Sequence, residues 1–274
     1  MKRILITLIL LNFIAKAQVC YENEPFILET LLKAKAESWD TLDTGTLRTK
    51  IGKLFLGSTY VGGTLEVNEQ EMLVVNFKQQ DCTTFIEYVM AFSYCIENQQ
   101  YKTYNYFKAL TKIRYRNGVI DGYLSRLHYF SDWIKDNQSK GMVRDISKSL
   151  GGVQRQKTIN FMSNHLDIYK AIKSEQEILT LKQIEFDLNN QVFYFIPQDS
   201  IKAIELLIPN GSIIALTTSI SGLDIVHVGL AYKKDEKIYL MHASSDFKSV
   251  TISQKPLHDY ILGNKSQDGI MVIN

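Results

Sequence analysis

A cysteine placed where a helix begins, and two histidines on neighbouring β-prone runs, are the residues of this sequence whose types and spacing could do chemistry. Asp81 has the character of a helix cap, and Cys82 to Ile96 is apolar on most sides, with Phe85, Ile86, Val89, Met90 and Phe92. A thiol in the first turn of such a helix faces unpaired amides and the positive end of the dipole, so its pKa is expected to fall below about 8.5. The Asp81 carboxylate opposes this, so a positive neighbour such as a histidine has to supply the difference. A thiol nucleophile also needs a base. His227 and His242 lie in runs that flank the polar segment Lys233 to Glu236. Read as a four-residue hairpin loop, that segment pairs Tyr232 with Lys237 and sets His227 directly opposite His242. Directly opposed Cβ atoms are about 5 Å apart, close enough for one imidazole to orient the other as in a triad.

Each of these residues has a plainer reading. Cys82 as a small buried hydrophobe or half of a disulfide is one. Cys95 cannot be its partner, because on one helix the two lie roughly 20 Å apart and a disulfide needs Cα atoms within about 7 Å. A bond between Cys20 and Cys95 stays open. The two histidines could be polar residues on a solvated face. A zinc site of Cys82, His227 and His242 ranks lower, because no further cysteine, histidine or carboxylate has ligand-like spacing. No metal and no cofactor is expected. His128, His165 and His258 are assigned structural places, His258 on a short surface helix between Pro256 and Leu262.

The elements that must position these groups follow from the pattern along the chain. The chain has 274 residues, 45% hydrophobic and 22% charged, with no repeat or low-complexity linker, so one large domain is expected. Lys2 and Arg3, the apolar run Ile4 to Ile14 and the small residues of Ala15-Lys16-Ala17 read as a secretory signal over residues 1–17, too short to span a bilayer. The mature part, 18–274, is then expected in the periplasm or outside the cell, with acylation of Cys20 as the lesser alternative. Three cysteines in an oxidising compartment leave at least one thiol free. A formal charge of +2, with lysines and arginines scattered, gives no reason to expect a nucleic acid or membrane-surface partner. A monomer is expected.

Phe26 to Ala36 and Leu42 to Leu56 carry apolar residues at helical spacing, and Gly57, Gly62 and Gly63 then break the pattern around Tyr60. Residues 101–190 read as mostly helical and rich in tyrosine, arginine and histidine. Ile213 to Thr218, Ile225 to Tyr232, Ile238 to Ala243, Val250 to Ile252 and Ile270 to Ile273 read as short strands. Helices first and strands last predicts an α+β fold.

With these residues in view, a resemblance can be stated. Asp81-Cys82 opening a helix, Asp224-Ile-Val-His227-Val-Gly229-Leu-Ala-Tyr232 and His242-Ala-Ser resemble the NlpC-type cell-wall cysteine peptidases, which have a papain-like core. The resemblance implies Cys82 as nucleophile, His227 as base and His242 as its orienting group. Gly57-Ser-Thr-Tyr60-Val-Gly-Gly is similar to the segment before that cysteine, whose tyrosine is thought to help the oxyanion; Thr59 stands where a proline is usual. A closer resemblance is to the N-acetylmuramoyl-L-alanine amidase-like family, long catalogued as a domain of unknown function. It covers nearly the whole mature chain and includes Arg114-Tyr-Arg-Asn-Gly, Ser125-Arg126-Leu-His128-Tyr129-Phe130 with Asp132-Trp133, Asn160-Phe-Met-Ser and Gly222-Leu-Asp224.

That resemblance implies metal-free hydrolysis of the bond between the lactyl group of N-acetylmuramic acid and L-alanine, on soluble and anhydro muropeptides, in wall turnover or recycling. Residues about 101–190 are then a helical substrate-recognition insertion. Arg114, Arg116 and Arg126 are candidates for the stem-peptide carboxylates and Tyr129 and Trp133 for the sugar, against the reading that aromatics at helical spacing are core. Two rivals remain: a γ-D-glutamyl-diaminopimelate endopeptidase, and a muropeptide-binding protein without turnover.

Overall fold

The computed structural model describes residues 23–274; the expected signal segment and Cys20 lie outside the described residues. In chain order the helices are α1 (Glu24–Ala36), α2 (Thr44–Gly52), α3 (Cys82–Glu97), α4 (Thr103–Arg114), α5 (Phe130–Ser139), α6 (Phe161–Asn164), α7 (Glu175–Asn189), α8 (Ile201–Ile204) and α9 (Leu257–Leu262). The strands are β1 (Thr59–Tyr60), β2 (Gln79–Gln80), β3 (Val153–Arg155), β4 (Phe193–Pro197), β5 (Ile213–Thr218), β6 (Ile225–Lys234), β7 (Lys237–Ser244), β8 (Ser249–Ile252) and β9 (Gln267–Ile273). They form one mixed sheet in the order β2-β1-β8-β7-β6-β5-β9-β4-β3. Only β1 and β2 pair in parallel among these neighbours.

The sheet is covered on both faces, and its alternation decides which side chain meets which layer. Ile213 and Ala215 of β5 join Val228, Leu230, Met241 and Ala243 in the cluster that holds α3, whereas Ile214 and Leu216 join Leu240, Leu257 and Ile261 on the other face. Helix α3 is wrapped by α1, α2 and α4 and lies over β6 and β7, so Phe85, Val89, Phe92 and Ile96 are all buried. Its all-round apolar sequence follows from that position. Helix α2 approaches the sheet closely at Gly52, where an added Cβ would stand 2.7 Å from Met241 Sδ.

The five strands expected from sequence are present, somewhat extended, and β1 to β4 are additional. β1 and β2 have two residues each, too few to show alternation, and exist only because the sheet edge accepts them. The expected hairpin loop is shorter than four residues: Lys234 pairs with Lys237 across a two-residue turn in which Asp235 and Glu236 have φ of 48° and 56°. Left-handed conformations at both positions give the type I′ geometry that matches strand twist. The register therefore moves by two residues, Tyr232 facing Tyr239 rather than Lys237.

Residues 101–190 hold α4 to α7, but 140–160 is largely irregular and includes β3. Tyr106 and Ile113 of α4 and Phe130 and Trp133 of α5 belong to the main core. A second, smaller cluster gathers Leu124, Tyr129, Ile159, Met162, Ile172, Leu181 and Leu188. Asp224, just before β6, joins the two parts: its buried carboxylate accepts from the Ser131 backbone N–H at 2.7 Å and so caps α5 from another segment.

Candidate active site

The end of the sheet near α3 is built by three local devices. The first fixes the helix start. Asp81 Oδ1 accepts from Thr84 N at 2.8 Å, and Asp81 N donates to Thr84 Oγ1 at 2.9 Å, a reciprocal capping box that makes Cys82 the first residue of α3. The second brings Tyr60 alongside, since it pairs with Gln80, two residues before the cysteine. The third is a bulge in β6: Leu216 faces His227 while Thr217 faces Ile225, so Val226 is the extra residue. Bulges bend a strand and re-aim the next side chain.

His227 Nε2 and His242 Nδ1 lie 2.6 Å apart, with ring planes at 85°. They are not directly opposed as the longer loop predicted. Continuing the β6–β7 register sets His242 opposite Gly229 and leaves His227 on the diagonal, on the same face. Gly229 has no side chain to stand between the two rings. An added Cβ there would meet Leu240 Cδ1 at 2.7 Å and the Met241 carbonyl at 2.9 Å.

Cys82 is half-buried and packs against the cluster containing Val228, the residue after His227. The Val228 amide and the Thr83 amide and hydroxyl face the sulfur and favour a thiolate, but burial and the Asp81 charge outweigh them and push the thiol up to about 12. This corrects the expectation of a lowered pKa: the helix dipole does not overcome desolvation. Burial also pushes His227 down to about 4, partly offset by Asp246, and His242 down to about 3. Burial thus favours the neutral forms of the thiol and both imidazoles. Tyr60 is raised by burial first, then by the charges of Cys82 and Asp81.

Cys95 is buried near the other end of α3, and both it and Cys82 are free thiols, so they do not pair. Among the described residues, no group of three or more His, Cys, Asp or Glu side chains is arranged to hold a metal ion.

The expected substrate-contact residues fare differently. Arg114 is 0% exposed, with Nε 2.6 Å from Glu87 Oε2 and Nη1 donating to the Val74 carbonyl at 2.6 Å. Trp133 is also 0% exposed and stacks on Phe130. Tyr129 is buried, donating to Glu185 Oε1 at 2.7 Å and accepting from Met162 N at 2.8 Å. These three corrections share a cause: the segment that looked like a recognition surface is packed into the interior, Arg114 against Glu87 of α3, Tyr129 against Glu185 of α7 and Trp133 within the main core.

Arg116 grips Asp132 with two bonds, at 3.1 and 2.6 Å, and lines a cavity of about 580 Å³ with Leu179 and Gln183 of α7. Arg126, likewise buried, is paired with Glu66 and lies 3.7 Å from Glu71. His128 and His165 bond the carbonyls of Tyr123 and Phe161. His258 on α9 pairs with Glu205 at 2.6 Å. The sequence reading missed Tyr260, whose ring meets His242 at 75° with centroids 5.4 Å apart. No motif marks it. Its helix comes from the far end of the chain, and only docking of α9 on the sheet brings it to the histidines.

This is a mixed α+β fold in which a helix opens with a thiol, and the strand that carries His227, paired with His242, also supplies the Val228 backbone beside that thiol. The chain belongs to the AmiA-like family, described as N-acetylmuramoyl-L-alanine amidase-like, whose sequence model matches residues 50–270. A crystal structure of an N-acetylmuramoyl-L-alanine amidase from Bacteroides uniformis is 34% identical, covers 85% of this chain and 99% of its own, and superposes with a TM-score of 0.80. A Bacteroides fragilis protein named as a candidate xylanase is 34% identical, with 82% and 99% covered and a TM-score of 0.77. A Legionella pneumophila protein shares the fold at 20% identity, with 91% and 93% covered and a TM-score of 0.70. No curated protein matches the chain.

Proposed function

We propose that this protein is a cysteine amidase with an NlpC-type, papain-like core, which cuts the bond between N-acetylmuramic acid and L-alanine in soluble muropeptides, anhydro forms included. The observation that carries the reading is the 2.6 Å His227–His242 contact on the strand that also supports Cys82. The family and the Bacteroides uniformis amidase give the substrate class. A xylan-cleaving reading would call for two carboxylates flanking a glycosidic bond, whereas the polar centre here is a thiol and two imidazoles.

In this reading the working nitrogen is His227 Nδ1, because Nε2 is taken by His242. With sulfur and imidazole both neutral, the proton moves from Cys82 Sγ to His227 Nδ1 as the sulfur attacks the lactyl carbonyl carbon. The Cys82 backbone N–H and the Tyr60 hydroxyl donate to the oxyanion. Collapse of the tetrahedral intermediate breaks the C–N bond, His227 returns its proton to the alanine nitrogen, and a thioester remains. Water, deprotonated by the same nitrogen, attacks the thioester, and the lactyl carboxylate leaves as the thiol is regenerated. His242 holds the imidazole throughout.

The protein is read as exported, with residues 1–17 removed, and as acting on wall fragments in turnover or recycling. Mass spectrometry of products from a disaccharide-tripeptide, with the purified protein and its Cys82→Ala variant, tests the activity. Free disaccharide and intact tripeptide from the wild type alone are expected. A dipeptide left on the sugar would instead establish the γ-D-glutamyl-diaminopimelate endopeptidase, and binding without cleavage a non-catalytic muropeptide binder.

A further inference from the structure

The histidine pair poses a tautomer question that the catalytic residues alone do not answer. For His227 Nδ1 to accept a proton, its Nε2 must carry one and donate it to His242 Nδ1, 2.6 Å away. His242 Nδ1 is then an acceptor, so the proton of the neutral His242 ring is on Nε2. His242 is only 1% exposed, and its Nε2 is buried without a hydrogen-bond partner. A buried N–H without an acceptor is costly, and an Nδ1–H tautomer would avoid burying it while turning the contact with His227 around. That reversal would leave His227 Nε2 accepting and its Nδ1 protonated, unable to act as base.

The group packed against this imidazole is Tyr260 of α9, with ring planes at 75° and centroids 5.4 Å apart. In a crossed pair at this separation the edge of one ring meets the negative face of the other, an arrangement that lets an aromatic face serve as a weak acceptor for a polar N–H where no oxygen is available. Tyr260 is half-buried and lines a cavity of about 260 Å³ with Asp246, Phe247 and Asn264, and burial first, then Asp246 and Cys82, push its phenol up to about 12. We propose that Tyr260 is a positioning residue: its ring holds His242 in the Nε2–H tautomer, which in turn keeps the His227 Nδ1 lone pair available to Cys82.

The inference rests on the proposed Cys82–His227 chemistry for its consequence, but its first test does not need turnover. In ¹⁵N NMR of the uniformly labelled, folded protein near pH 7, His242 Nε2 is expected to resonate as a protonated nitrogen and Nδ1 as an unprotonated one. The reverse assignment in the wild type overturns the proposal, whatever the substrate proves to be. Tyr260→Phe keeps the ring and is expected to keep both the tautomer and kcat. Tyr260→Leu is expected to mix the tautomers and lower kcat by about two- to fivefold, the worth of one weak N–H to ring contact, with KM unchanged. A Leu variant with wild-type tautomer and kcat, or a Phe variant as impaired as the Leu variant, would overturn it, the second showing that the hydroxyl matters instead. A change confined to KM would also overturn it, because that outcome makes Tyr260 a substrate contact.

Discussion

Replacing Arg114 by methionine should damage the fold and leave substrate affinity alone, the opposite of what its place in an arginine-rich motif suggests. The guanidinium is 0% exposed, and its Nε lies 2.6 Å from the carboxylate of Glu87 on α3, itself 2% exposed. Nη1 also satisfies the Val74 carbonyl, so one side chain ties α4 to α3 and to the segment before β2. Methionine refills most of the volume but strands the buried Glu87 carboxyl near the phenols of Tyr88 and Tyr106. Breaking one partner of a buried pair typically costs about 3–5 kcal/mol. For a domain of this size each kcal/mol moves Tm by about 2–4 °C, so a fall of about 6–20 °C is expected. Thermal and urea unfolding followed by circular dichroism measures it. Adding Glu87→Leu to Arg114→Met should recover most of the loss, because apolar pairs of similar volume replace buried ion pairs at little cost. Unchanged Tm together with a raised KM for the muropeptide would refute this reasoning and return Arg114 to the substrate.

Three further outcomes follow from the site. Tyr60→Phe should lower kcat by about 10²- to 10³-fold with an intact fold, the loss typical of one oxyanion donor; full activity in steady-state kinetics would remove Tyr60 from that role. Alkylation of Cys82 by iodoacetamide should be slow at pH 7 and still climbing at pH 9, since the thiol is pushed up to about 12; a plateau below pH 8 would point to a resting thiolate. Acid should destabilise the fold. His128, His227 and His242 are held near pKa values of about 3, 4 and 3, below their unfolded value, so the unfolded chain binds more protons between about pH 6.5 and 4 and stability is lost across that window. A Tm that stays flat from pH 7 to about 4 would contradict these shifts.

What the sequence by itself determined is local. The capping box at Asp81, the helix from Cys82 and the five main strands are encoded in residues a few positions apart, because caps, helical spacing and alternation act over one or two turns. The face shared by His227 and His242 was also legible, since the register differs from the expected one by two residues and an even shift preserves strand parity. The tertiary structure decided the rest. Arg114, Tyr129 and Trp133 look like recognition residues in the sequence, yet Glu87 and Glu185 from distant helices hold the first two inside and the main core encloses the third. The protonation state of the site could not be read from a helix start, because desolvation depends on everything that covers Cys82 and the histidines. Tyr260 lies 18 positions beyond His242, past β8, and only the docking of α9 onto the sheet brings the two rings together. A contact made across such a separation leaves no periodic trace in either segment.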